Sequence, residues 1–389
     1  MKLLVVSYKQ CWLTDSAERR FATDGGFPFQ MSALSELFDE TRLCLPFGPR
    51  ELASGETPLT GHNLRVVPLP SPSGTGALRK LGFPFWLIRS ATTLFREMWT
   101  ADAVHAPIPG DIGTVGMLLA FLMRKPLFVR HCGNWFVQRT PAEHFWKWFM
   151  ERFAGGRNVM LATGGAAEQP SLRNPHLRWI FATSLTDKEL RAGAHYDRRM
   201  PDQNVRLIII CRQEREKGTD VVIRSLPRIL ERFPTATLDV VGDGAALRGF
   251  KQLAESLSLS DRVTFHGKVD HDAVVNHLRQ ADVFCFPTTS SEGFPKAVLE
   301  ALAQGVPVVT TRVSVLPRLI GQGGGMLLEE PTPSEVANAV IEILSNPDRY
   351  ADMRRKAVDT AQQYSLERWR DTIGDLLHTA WGRPLRSDV

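Results

Sequence analysis

At 389 residues the chain exceeds one ordinary hydrophobic core and suits two α/β domains. An apolar fraction of 43% and a charged fraction of 23% exclude a disordered or fibrous chain. The net charge of +5 falls essentially in residues 1–190; it is too modest for a nucleic-acid-binding protein, no recognition helix or RNA-binding motif accompanies it, and no nucleic-acid partner is expected.

Met1–Val6 is apolar, but Ser7, Lys9, Gln10, Thr14 and Asp15 stop the run far short of a signal-peptide core, which predicts a buried first strand. Further strands are predicted at 41–45, 64–67, 103–105, 127–130 and 159–161, the grammar of a doubly wound sheet. Asp24-Gly25-Gly26 precedes a helical stretch over 29–38, and glycines there let backbone approach a ligand closely. The longest apolar run, 115–123, is below the roughly 18 residues a spanning helix needs. VRHCGNW places His131 at a strand end with Asn134 nearby; a lone histidine of this kind is usually structural.

Seven of the nine tryptophans lie in the first 190 residues, many among Arg and Lys in 79–99 and 144–153. Such basic amphipathic stretches suit an anionic membrane surface; the alternative is core helices whose charges reach out to solvent. The five cysteines are scattered without a C-x-x-C pair, so neither a disulfide framework nor a zinc site is expected. That fits a cytoplasmic protein, peripheral at the inner face of the membrane if the basic stretches touch lipid.

The polar segment 192–204, which carries Pro201, reads as a linker between a first domain over 1–191 and a second over 205–364. The second domain alternates strands at 205–211, 238–241, 263–265, 283–286 and 306–310 with helical patterns, hence a parallel sheet with its ligands beyond the strand carboxyl ends. The remaining 365–389 is predicted to begin with a helix to about Trp381 that crosses back to the first domain.

The strand-end loops of this half concentrate charge and glycine. Arg212 and Lys217 follow the first strand, and a guanidinium fork with an ammonium point charge would neutralise a diphosphate. The competing reading is a solvated charge run with Glu214, Arg215 and Glu216. Gly242-x-Gly244 after the second strand lacks the third glycine of a dinucleotide fingerprint, since residue 247 is leucine, and reads as a tight turn. Asp270-His271-Asp272 resembles a metal-binding D-x-D but sits just ahead of a helix and is expected to cap it. After the fourth strand come Glu292-Gly293-Phe294-Pro295 and a helix through Gln304 ended by Gly305, with Pro295 suited to the first helical position. The start of that helix is an anion site ready for a diphosphate. Glu300 lies about 7.5 Å further along the axis, so two carboxylates are placed to hold different parts of one elongated ligand, one gripping a hexose and the other a ribose. A random E-x7-E pair is ordinarily two solvated charges, but Val298, Leu299, Leu302 and Ala303 surround Glu300 with apolar residues.

EGFPKAVLEALAQGVPV resembles the signature of the retaining glycosyltransferases of family 4, in the GT-B superfamily. The resemblance implies two Rossmann-like doubly wound parallel-sheet domains facing a central cleft. It associates Glu292 with donor-sugar hydroxyls and Glu300 with the ribose; Gly293, Phe294 and Pro295 between them are expected to bind the donor. CRQEREKG is similar to the family's G-R-x-x-x-x-K-G except that Cys211 replaces glycine, which implies a catalytic part for Arg212 and Lys217. By the same resemblance Gly242 and Gly244 flank the nucleotide, and Lys268 and Val269 lie where relatives contact the base. Gly25 and Gly26 lie where relatives place a glycine loop near acceptor and donor phosphate, and His131 has a positioning or proton-handling role beside Asn134. Retention is expected to run through a front-face mechanism in which the leaving phosphate helps deprotonate the acceptor.

These readings predict transfer of a hexose-type sugar from a nucleoside-diphosphate sugar, UDP favoured over GDP, to a glycan or lipid-linked acceptor in cell-surface polysaccharide or lipopolysaccharide synthesis. No cofactor and no metal are expected. A non-hydrolysing nucleotide-sugar epimerase shares the architecture but needs no acceptor site. A catalytically dead sensor would not need Glu292, Glu300, Arg212 and Lys217 together.

Overall fold

The computed structural model describes residues 1–14, 20–49, 56–72, 74, 76–165, 168–193, 204–291 and 293–387. One compact unit comprises Met1–Gly164, Glu168–Ser184 and Leu366–Val389, the other Gly165–Ala167 and Leu185–Ser365. Most of the predicted linker, 194–203, lies outside the described residues, and the helix Asp187–Gly193 groups with the second unit.

The first unit is built on seven parallel strands: β1 (Lys2–Val6), β2 (Glu40–Phe47), β3 (Leu64–Pro70), β4 (Ala103–Ile108), β5 (Leu127–His131), β6 (Asn158–Thr163) and β7 (Arg178–Ile180). Their order across the sheet is β7-β6-β5-β4-β1-β2-β3. Both faces are covered, which is why the strands read as continuous apolar runs rather than alternating ones. On one face Leu4 and Val6 pack with Trp86, Leu94 and Met98 of the helix Gly76–Thr100 and with Trp146, Phe149 and Met150 of the helix Pro141–Phe153. On the other, Leu3 and Val5 meet Met31 and Leu34 of the helix Phe27–Ser35 and Trp369, Ile373 and Leu377 of the helix Leu366–Trp381. That last helix is therefore part of the first unit's core, with Trp369 fully buried and its ring 5.1 Å from the guanidinium of Arg130.

The second unit has six parallel strands: β8 (Arg206–Ile210), β9 (Thr237–Val241), β10 (Val263–Gly267), β11 (Val283–Phe286), β12 (Val308–Thr311) and β13 (Gly325–Leu328). They lie in the order β10-β9-β8-β11-β12-β13. Counted from its own first strand, the first sheet thus runs 3-2-1-4-5-6-7 and the second 3-2-1-4-5-6, and each has a topological switch point between its first and fourth strands. Short strands escaped the sequence reading: β7, β13 and an antiparallel ribbon of Trp12–Leu13, Phe21–Thr23 and Thr57–Pro58. Two or three residues carry too little periodicity to register, and β13 opens on glycine after Gly323 and Gly324, which reads as loop. Among the described residues, no helix is long and apolar enough to cross a membrane.

Candidate functional site

The switch point of the second unit lies between β8 and β11, and the loops leaving these strands carry the charged motifs. After β8 the chain makes a short 3-10 turn over Arg215–Lys217 and turns into the helix Thr219–Arg232 through Gly218, whose φ is +82°. A Cβ on Gly218 would stand 2.5 Å from the carbonyl oxygen of Pro287 in the β11 loop. Glycine lets the two loops touch.

Hydrogen bonds complete that contact. Nζ of Lys217 donates to Oγ of Ser290 at 2.9 Å, and Lys217 is buried. The carbonyl oxygen of Glu216 accepts from the backbone N–H of Thr289 at 2.9 Å and from Oγ1 of Thr288 at 3.0 Å. Arg212, by contrast, is exposed at the strand end. One cation is therefore built into the loop pair and the other stands in solvent.

Gln213 had no sequence signal. Fully buried, it donates from Nε2 to the carbonyl oxygens of Cys211 and Val241 and accepts from Oγ1 of Thr219 at 2.8 Å, pinning the β8 loop to the end of β9. Gly242 and Gly244 are needed for the same approach, because their Cβ atoms would lie 1.9 Å from the Cys211 carbonyl oxygen and 2.6 Å from that of Gln213. Beyond β10, Lys268 is exposed and Val269 half-buried, and Asp270 accepts from the N–H of Ala273 at 2.8 Å, so the D-H-D triplet begins with a helix cap.

Glu292 lies outside the described residues. Gly293 and Phe294 are half-buried, the Phe294 ring 5.5 Å from that of Tyr364. The helix spans Lys296–Ala303, with Pro295 as N-cap rather than first helical residue because its ψ of 94° is still extended. Among the described residues no side chain caps this N-terminus. At the other end Gly305 has φ +66°, its N–H bonds to Leu302 and the next N–H bonds to Ala301, a Schellman closure. Within the helix Glu300 is 14% exposed. Burial pushes its carboxyl above the usual range, against the pull of His271, whose Nδ1 is 3.7 Å away, and of Lys296. A carboxylate so desolvated is set to accept hydroxyl donors.

In the first unit, Gly25 has φ +70° with open space where a Cβ would go, and Gly26 opens the helix Phe27–Ser35 without any side-chain cap. His131 ends β5 almost fully buried, its ring edge-on to Trp135 at 5.3 Å. Nδ1 has no hydrogen-bond partner among the described residues, and burial pushes the imidazole down to about 4. At neutral pH it is uncharged, which suits positioning. Asn134 does not reach outward with its carbonyl oxygen: Oδ1 accepts from the N–H groups of Phe136 and Val137.

Residues 197–360 match the family described as glycosyl transferases group 1. The GDP-mannose-dependent α-(1-6)-phosphatidylinositol monomannoside mannosyltransferase of Mycolicibacterium smegmatis is 28% identical over 73% of this chain and 80% of its own length. The α-D-kanosaminyltransferase of Streptomyces kanamyceticus is 24% identical over 85% of this chain and 92% of its own. In fold, the chain is similar to HepE of Anabaena, solved in complex with UDP, with a TM-score of 0.70 at 17% identity over 97% of this chain and 100% of that one. With two parallel-sheet units of like strand order the chain has the GT-B fold, and within it residues 197–360 are similar to the group 1 glycosyltransferases.

Proposed function

We propose that the chain transfers a hexose-type sugar, with retention of configuration, from a nucleoside-diphosphate sugar to a glycan or lipid-linked acceptor. The observation that carries this reading is the bond from buried Lys217 to Ser290, which sets an ammonium group between the two strand-end loops of the switch point. A diphosphate leaving group gains negative charge as the glycosidic bond breaks, and a fixed cation offsets it. Arg212 adds an exposed guanidinium, Glu300 takes the ribose, and Glu292 holds donor-sugar hydroxyls. With Lys217 and Arg212 supplying positive charge, the transfer step needs no metal. Retention follows from front-face attack, the leaving phosphate taking the acceptor proton while His131 positions the acceptor.

For the donor nucleotide the first reading is UDP. GDP-mannose is the second, favoured by the GDP-mannose dependence of the mannosyltransferase relative. A thermal-shift panel of UDP-, GDP- and ADP-sugars separates them, since a ligand at 100 times its Kd stabilises by about 2.7 kcal/mol. No shift with any member would overturn the reading.

A lipid-linked acceptor, and with it cell-surface polysaccharide or lipopolysaccharide synthesis at the inner membrane face, is supported by the helix Gly76–Thr100. Trp86, Leu94 and Met98 bury one side, whereas Leu78, Leu81, Phe85, Ile88, Phe95 and Trp99 are 54–79% exposed along another. Lys80, Arg89 and Arg96 are exposed on the same helix. The second basic stretch is divided, with Trp146, Phe149 and Met150 buried and His144, Trp148 and Arg152 exposed. An apolar stripe with cations suits an anionic bilayer surface. Leu81→Asp/Ile88→Asp should abolish co-sedimentation with anionic liposomes at low salt; equal sedimentation of variant and wild type would discard the membrane contact.

A further inference from the structure

β10 is the edge strand of the second sheet, and its pairing with β9 is irregular: Val240 faces Phe265 while Val241 faces Gly267. His266 is thereby the extra residue of a β-bulge, a device that re-aims a side chain at a sheet edge. Its Nε2 comes within 2.6 Å of Oδ1 of Asp239 on β9. From the helix His271–Gln280, His277 brings its ring to 4.2 Å, centroid to centroid, from that of His266. One ligating atom of each of Asp239, His266 and His277 lies within 4.8 Å of the other two, and all three side chains are half-buried.

We propose that Asp239, His266 and His277 form a binding site for a divalent transition cation of the Zn²⁺ class. Two imidazoles and one carboxylate match the donors zinc prefers, whereas Mg²⁺ and Ca²⁺ take oxygen cages. Tetrahedral ligands 2.0–2.1 Å from zinc stand roughly 3.4 Å apart, so Asp239 and His266, now 2.6 Å apart, must part by about 0.8 Å and the wider pairs, within 4.8 Å, draw in by up to about 1.4 Å, shifts within reach of side-chain rotation. A water completes the fourth position. The three ligands come from two strands and a helix, so the cation clamps that helix onto the sheet edge two residues before Lys268. It is a clamp and takes no part in sugar transfer.

The test uses the untagged full chain, stripped with a chelator and dialysed against Zn²⁺ without any nucleotide sugar. Wild type should retain about one equivalent more zinc than His266→Ala/His277→Ala, and Zn²⁺ should raise the Tm of wild type but not of the variant. Co²⁺ in place of zinc should give the strong visible absorption of a tetrahedral site in wild type only. Equal zinc content and equal Tm response in the two proteins would overturn the proposal. Should the double variant fail to fold, Asp239→Asn replaces it: a tenfold or greater loss of zinc affinity is expected, and unchanged affinity overturns the site.

Discussion

At the switch point of the second unit the two loops are bound to one another through Lys217, Thr288 and Thr289, and glycines at 218, 242 and 244 sit where any Cβ would strike backbone. At that of the first unit the ring of Tyr8, after β1, lies against Gly110, after β4, and Lys9 pairs with Asp24, while a Cβ at Gly25 meets nothing. The sheets share a strand order, so the difference lies in what each loop pair must hold. A diphosphate is the same in every donor and repays a rigid cradle. Under the proposed assignment of the acceptor to the first unit, acceptors differ from enzyme to enzyme, and the residues that meet them need room.

The largest effect expected from this contrast is at Lys217. Lys217→Met keeps the length and apolar stem but removes the charge; kcat should fall on the order of 10²–10³-fold, about 3–4 kcal/mol of barrier. Steady-state kinetics on a variant with unchanged far-UV circular dichroism measures it. A loss below threefold would sink the role given to this cation.

Next come the glycines, which set the two units directly against each other. Gly242→Ala combines a φ of +115° with a carbonyl oxygen 1.9 Å from the new Cβ, and should cost about 3 kcal/mol. Gly25→Ala, with φ +70° and open space, should cost about 1 kcal/mol. Urea denaturation of both would break the comparison if the two losses came out equal.

The buried histidines and the desolvated Glu300 should respond to acid in opposite directions. The imidazole of His131 is held down to about 4, so between pH 6.5 and about 4 the unfolded chain takes a proton that the folded one refuses, and stability falls as pH falls. At pH 5 that contribution is about 2 kcal/mol. Burial of His105, pushed down to about 3, adds a loss of the same sign. Glu300 is raised instead, so the folded chain takes its proton first and acid relieves the cost of burying its charge. His131→Gln should therefore lose roughly 2 kcal/mol less than wild type between pH 7 and pH 5; parallel pH profiles would refute the buried neutral imidazole.

These contrasts also explain what was legible in the sequence. Apolar runs rich in β-branched residues, such as Leu207–Ile210, announce a parallel strand, and Lys217, Pro295 and Gly305 mark loop and helix ends because their chemistry is local. The work of Gln213 is invisible in sequence, since it depends on the Cys211 and Val241 carbonyls arriving from two different strands. The bulge that turns His266 towards Asp239 is likewise a property of register between two strands. Trp146 and Trp148 read alike as residues of a basic aromatic stretch, yet one is core and the other surface, because a two-residue step on a helix turns the side chain to another face.

The smallest effect isolates Glu300. Glu300→Gln keeps the volume and one acceptor oxygen while removing the charge that burial already disfavours, so the helix should remain intact. If the carboxylate accepts two ribose hydroxyls, the amide retains one of those bonds, and nucleotide affinity should weaken by about 1 kcal/mol, roughly fivefold in Kd. Calorimetric titration with UDP and GDP reads this, and kcat at saturating donor should stay within twofold because the ribose is remote from the bond that breaks. An unchanged Kd for both nucleotides would place the ribose elsewhere. A large fall in kcat at unchanged Kd would move Glu300 to the sugar end of the site.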